Sequence, residues 1–169
     1  MKLGSRLIVG AIAGVIGTMA MTSAMRRLHR RLPPEERYPL TPREIIDSAV
    51  DPEEEPGRDL TTISHFAYGA GCGALVAAAN SRPGVREGAG AGVAIWLASY
   101  MGWIPAVGLL KPANRHPVRR NLLMIGVHLV WGAATALSIR ELGAARQTIF
   151  AGGADRDVPE AKQADLKTD

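Results

Sequence analysis

Four stretches of this chain, residues 7–25, 61–79, 88–110 and 121–139, contain no Asp, Glu, Lys or Arg, although the sequence holds 20 Lys and Arg and 16 Asp and Glu. Each stretch is 19 to 23 residues long. The hydrocarbon core of a bilayer is about 30 Å thick and is crossed by about 20 residues of helix. Lipid offers no partner for an unpaired backbone group, so helix is the state these runs must take. The chain therefore reads as an all-α membrane protein, a four-transmembrane-helix bundle. The near-zero mean hydropathy of +0.03 conceals this, because it averages apolar runs with strongly charged connections.

The polar segments are too short to bury a core of their own. Residues 1–142 thus form one four-span membrane domain, and 143–169 a polar tail expected to be disordered. The net charge of +4 does not call for nucleic acid. Lys and Arg gather on cytoplasmic loops of membrane proteins, so a basic balance follows from topology. Lys2 and Arg6 precede the first run as they would in a signal peptide. Arg26, Arg27, Arg30 and Arg31 follow it at once, and such a cluster resists export, which favours an uncleaved span. Cys72 is the single cysteine, so an intramolecular disulfide is excluded; amid Gly and Ala it reads as a filler of space.

Small residues recur at fourfold spacing within the runs: Gly10 with Gly14, Gly69 with Gly73, Gly132 with Ala136. This spacing strips one helix face of bulk and lets neighbouring backbones approach. It serves the internal bundle first, and a homo-oligomer as the alternative. Pro105 removes a hydrogen bond from the third run and predicts a kink at 104–107. Trp96, Tyr100 and Trp103 share one face there, as packing or lipid-facing rings.

The first connection, 26–60, carries Thr41-Pro42-Arg43-Glu44, the pattern of a capping box with proline at the first helical position. It predicts a short amphipathic helix over 42–50, lying on the membrane surface or against the bundle. Asp51, Glu53, Glu54, Glu55 and Asp59 follow as a solvated acidic run. Pro83-Gly84 marks a turn between the second and third spans. Counted within about 20 residues of a span, the first and third connections (26–60 and 111–120) hold eleven Lys and Arg against seven on the side of the termini. That count favours these two connections as cytoplasmic.

No charged residue lies within a run to hold a coupling ion. Histidine remains. His65 and His128 stand four and seven residues into spans that start on the same side, roughly 6 and 10 Å deep at 1.5 Å per residue. With Tyr68 and Trp131 they form the candidate intramembrane polar site. Two imidazoles could hydrogen-bond structurally, hold a haem iron or a metal, or relay protons. No cofactor is required by the sequence; haem b is the one the pair could take. No Walker loop, CxxC pair, HExxH motif or Ser-His-Asp set is present, so no catalytic residue is assigned.

His65-Phe66-Ala67-Tyr68-Gly69, the third run with Pro105, and Gly126-Val127-His128-Leu129-Val130-Trp131-Gly132 followed by Ser138-Ile139-Arg140-Glu141-Leu142 resemble the YagU-like family of bacterial inner-membrane proteins. The resemblance spans residues 7–142. It implies a multi-pass inner-membrane protein without established enzymatic activity, associated with acid tolerance, in which His65 and His128 match family histidines. It also implies cytoplasmic termini, opposite to the charge count. The expected function is structural or related to envelope and acid stress, with the bilayer as the main partner. The alternatives are a haem- or metal-binding histidine pair and a histidine-based proton sensor or conductor.

Overall fold

The computed structural model describes residues 1–37, 39–47 and 55–151. Among these the chain is all-helical. Helix α1 runs Leu3–His29, α2 Thr41–Asp47, α3 Glu55–Ala79, α4 Val85–Leu97, α5 Ile104–Ala106 and α6 Val118–Gln147. Two of them, α1 and α6, are long and apolar enough to cross a membrane. In α3 the charges of Glu55, Arg58 and Asp59 and a wealth of Gly and Ala dilute the hydropathy. In α4 regular helix ends after 13 residues.

The helices form a row rather than a closed ring. Helix α1 lies between α3 and α6, α4 packs on the far side of α6, and α3 scarcely touches α4. Each contact in the row is made through glycine. A Cβ on Gly10 would meet the Gly73 carbonyl and the Ala77 methyl, and one on Gly14 would strike the Gly69 carbonyl. Between α1 and α6, Gly17 faces Thr135 and Trp131; between α4 and α6, Gly88 and Gly132 lie backbone on backbone. Such proximity multiplies dispersion contacts of about 0.1–0.2 kcal/mol per atom pair.

Many large apolar side chains turn outward, although Val127 and Ile139 are wholly buried. Ile8, Ile63, Leu75 and Leu122 are 64%, 65%, 69% and 62% exposed, whereas Ala13, Ala77, Thr135 and Ala136 are wholly buried. At one end of the row the Arg6 guanidinium donates to the Ala77 and Ala78 carbonyls at 2.9 and 2.6 Å, closing the C-terminus of α3. Glu87 reaches back to the Gly84 N–H at 3.0 Å and closes the N-terminus of α4. These bonds satisfy backbone groups that a helix end leaves without partners.

Two local expectations change. The distortion expected at 104–107 lies upstream, as a six-residue π-helical stretch, Ala98–Trp103. Proline lacks an N–H and its ring crowds the carbonyl four residues back, and widening the preceding turn relieves both. Ser99 also donates to the Ile95 carbonyl at 2.7 Å within the same turn. Helix then ends at Ala106, and Gly108 reverses the chain at φ 75°, so 107–110 leave the helix that the uncharged run implied. The second change concerns Thr41-Pro42-Arg43-Glu44. The Thr41 hydroxyl makes no capping bond among the described residues. The Leu40 carbonyl accepts from Arg43 and Glu44 N–H, and Glu44 turns to Arg120 instead. A buried cation is the stronger partner for a carboxylate than a terminal N–H. The expected residues 48–50 of this helix, the acidic run at 51–54 and the tail at 152–169 lie outside the described residues.

Candidate functional site

Where α3 and α4 diverge, the row encloses a cavity of about 280 Å³. His65, Tyr68 and Cys72 of α3, Met124, His128 and Trp131 of α6, Thr18 and Met21 of α1, and the Trp96–Trp103 face all line it. Thr41, Pro42, Ile45 and Ile46 of α2 roof it. The four residues of the candidate polar site, His65, His128, Tyr68 and Trp131, thus share one cavity. Gly69 also lines it, while Gly10, Gly14, Gly73 and Gly132 serve helix contacts elsewhere. None of the lining residues is Asp, Glu, Lys or Arg.

Each polar group has a definable role. The His128 Nδ1 lies 2.7 Å from the Met124 carbonyl. A carbonyl only accepts, so Nδ1 carries the proton and Nε2 of the neutral ring is left as an acceptor. The Ser99 hydroxyl spends its proton on Ile95, so Tyr68 donates to Ser99 Oγ across the α3–α4 gap at 2.7 Å. The Tyr68 and Trp103 rings meet across the same gap, centroids 6.2 Å apart. On the opposite wall Trp131 donates to Thr18 at 3.2 Å, and Thr18 donates to Gly14 at 2.8 Å, tying α6 to α1. Among the residues that line the cavity, two nitrogens are buried without a hydrogen-bond partner among the described residues, His65 Nε2 and Trp96 Nε1.

The aromatic stripe proves to face inward at its start. Trp96 and Tyr100 are 6% and 3% exposed, and only Trp103 reaches the surface. Cys72 is buried in the same wall. Among the described residues no three His, Cys, Asp or Glu could hold a metal ion together, so the two histidines are what the cavity offers one.

The roof depends on Arg120, which the sequence reading counted only as a loop charge. It is 3% exposed and donates to the Pro39 carbonyl at 2.9 Å and the Glu36 carbonyl at 3.3 Å. It also pairs with Glu44 at 3.5 Å. These contacts join the first and third connections at one end of the row. The one available sequence signal was an arginine at the start of a span, where snorkelling to solvent is the simpler expectation.

Desolvation raises the pKa of Glu44 above its ordinary 4.5; Arg120 and His116 oppose the shift and Asp47 adds to it. A carboxyl whose proton is held more tightly in the docked state strengthens docking at low pH. That contribution is complete below the ordinary value and lost as pH rises through the raised one. Acrylamide quenching of tryptophan emission is therefore expected to fall on acidification from neutral pH towards 4.5. E44Q should abolish this pH dependence, isolating the carboxyl from Asp47 and His116.

No family model, curated protein or solved structure matches this chain.

Proposed function

We propose that the chain is a four-span, multi-pass protein of the bacterial inner membrane that binds a small apolar molecule within the bilayer and catalyses no reaction itself. Two observations support the four spans. The helix row turns many large aliphatic side chains outward on α1, α3 and α6 alike, while Gly, Ala and Thr make up much of what it buries. Water penalises such a surface at about 25 cal/mol per Å², whereas lipid does not. In addition, only 39% and 44% of the most apolar windows of α1 and α6 are buried, which suits these two helices to lipid better than to the core of a soluble protein. Helices α4 and α5, joined through the π-helical stretch, supply the third span, and α3 the second.

The single observation that carries the binding reading is the roofed cavity, walled by aromatic, Met and Ile side chains and without a charged residue. Ligand sites have this make-up, largely apolar walls with a few placed polar groups. General acid–base or nucleophilic chemistry needs a base poised beside a nucleophile, and among the described residues neither imidazole is hydrogen-bonded to a thiol or hydroxyl of the cavity. The resemblance to the YagU-like family adds an envelope role under acid stress, with which a roof that tightens in acid is consistent.

Native mass spectrometry of the protein released from nanodiscs of bacterial polar lipid tests the reading. One retained small-molecule adduct per chain is expected, lost when Cys72→Leu fills the cavity. Bare chain in both preparations overturns it. Topology is checked separately with single cysteines at Ser81 and Asn114 in a Cys72→Ala background. They should be labelled from opposite sides of the membrane, and labelling from the same side refutes four crossings.

One observation favours a second reading, a bis-histidine haem. The His128 bond to the Met124 carbonyl orients the ring and leaves Nε2 to ligate, as carbonyl-bonded metal histidines do. Protein from cells supplied with haem precursors should then show a Soret band that His128→Ala abolishes. A colourless preparation ends that reading.

A further inference from the structure

The cavity has a way in, a size and a pattern of polar atoms, and together they narrow what it takes. The way in lies between α3 and α4, the two ends of the row, which scarcely touch. Among the described residues the Tyr68–Ser99 hydrogen bond and the Tyr68–Trp103 ring contact cross the gap. Tyr68 and Trp103 line the cavity and are also 45% and 44% exposed on the outer surface. They stand where inside and outside meet. In a four-span protein that surface faces lipid, so a molecule dissolved in the bilayer reaches the cavity by passing these two rings.

The size suits one substituted ring. An engineered cavity of roughly 150 Å³ accepts benzene, and this one measures about 280 Å³. Its walls include Trp96, Tyr100 and Trp131, and aromatic walls suit a flat π-system.

The polar atoms ask for oxygen on that ring. Trp96 Nε1 can only donate; it is buried without a partner among the described residues, on a residue 6% exposed. An orphaned donor of this kind favours any ligand that brings a carbonyl or hydroxyl oxygen. His65 Nε2, likewise unpartnered, donates or accepts according to tautomer. His128 Nε2 accepts. A fixed donor, a fixed acceptor and an imidazole able to serve as either match a ring whose oxygens occur as carbonyl and as hydroxyl. A saturated alkyl chain meets none of these nitrogens, and a fatty acid or a sterol-like body brings oxygen but no flat ring to the aromatic walls.

We propose that the cavity binds the head of a quinone or quinol drawn sideways from the bilayer, its tail leaving between Tyr68 and Trp103. The inference rests on the small-molecule reading above and names the class of molecule. The protein holds the head and carries out no electron transfer on it.

The three tryptophans of the chain all line this cavity, and quinones quench indole emission, so the protein reports its own occupancy. The intact chain in nanodiscs is titrated with a decyl-substituted benzoquinone while tryptophan emission is followed. A tryptophan-bearing transmembrane peptide supplies the baseline of collisional quenching. Saturable quenching at one quinone per chain is expected. Trp96→Phe, which keeps the ring and deletes the N–H, is expected to weaken binding about tenfold, as loss of one buried hydrogen bond implies. His65→Ala should do the same and provides the measurement if the tryptophan variant does not fold. Decanol at equal membrane concentration should not compete.

Equal competition by decanol overturns the quinone inference and leaves the small-molecule site standing. Unaltered binding in both variants overturns it as well. Quenching no steeper than the peptide baseline, with no apolar probe saturating, removes the inference together with the reading on which it rests.

Discussion

Gly132→Ala is expected to destabilise the protein by about 3 kcal/mol, the upper end for overpacking, because the new methyl has nowhere to go. A Cβ there would strike the Gly88 carbonyl, with Gly88 C at 2.7 Å and Ala89 Cα at 3.1 Å. All of these atoms are backbone, so relief requires α4 and α6 to separate along their shared face. Gly126→Ala is the internal control. It makes the same chemical change on the same helix, but its Cβ meets nothing within 4 Å. Alanine there should be neutral or stabilising by roughly 0.5–1 kcal/mol, the usual gain over glycine within a helix. Thermal unfolding of the two variants in one detergent checks the contrast. Equal midpoints would show that the helices of this row do not depend on bare backbone contact.

Arg120→Ala is expected to release the roof without unfolding the row. The guanidinium is buried and serves two carbonyls and one carboxylate. Removing one partner of a buried charge pair costs about 3–5 kcal/mol, discounted here because Glu44 keeps 19% of its side chain in solvent at 3.5 Å. The loss falls on α2, which is held otherwise by Ile46 and its apolar neighbours. Cys72, buried beneath that roof, then becomes the reporter. Its reaction with a water-soluble maleimide should quicken by about tenfold or more, the equivalent of at least 1.4 kcal/mol of docking. Arg120→Lys should fall between, since a single ammonium does not reproduce the planar fork. An unchanged rate in Arg120→Ala would mean that apolar contact alone seats α2.

The helical state of the four uncharged runs could be read directly, because backbone pairing inside an apolar run leaves no other choice. Boundaries were less legible. The third run continues to residue 110 without charge, yet helix stops at Ala106. Apolar composition marks what tolerates lipid and says little about where hydrogen bonding ceases. The capping pattern at Thr41 is a local signal that a tertiary partner overrode, since Arg120 comes from 76 residues further along the chain and claims Glu44. His65 and His128 stood out as ring nitrogens within apolar runs. Periodicity told their depth and left open which way either ring turned. Arg120 and Ser99 carried no distinguishing signal, because the first looks like any loop charge and the second like any small polar residue on a helix.

The sequence by itself determined the all-helical class, the glycine faces and the absence of charge from the apolar runs. These follow from composition and from a period of 3.6 residues, which are properties of one helix at a time. Only the tertiary structure decided that α1 and α6 stand in the middle of the row, that α3 and α4 part, and that α2 roofs the space between them. Those outcomes depend on which glycine face meets which, and several faces of equal smoothness compete until the whole set has docked. The cavity is what remains where two faces do not meet, so no single helix encodes it.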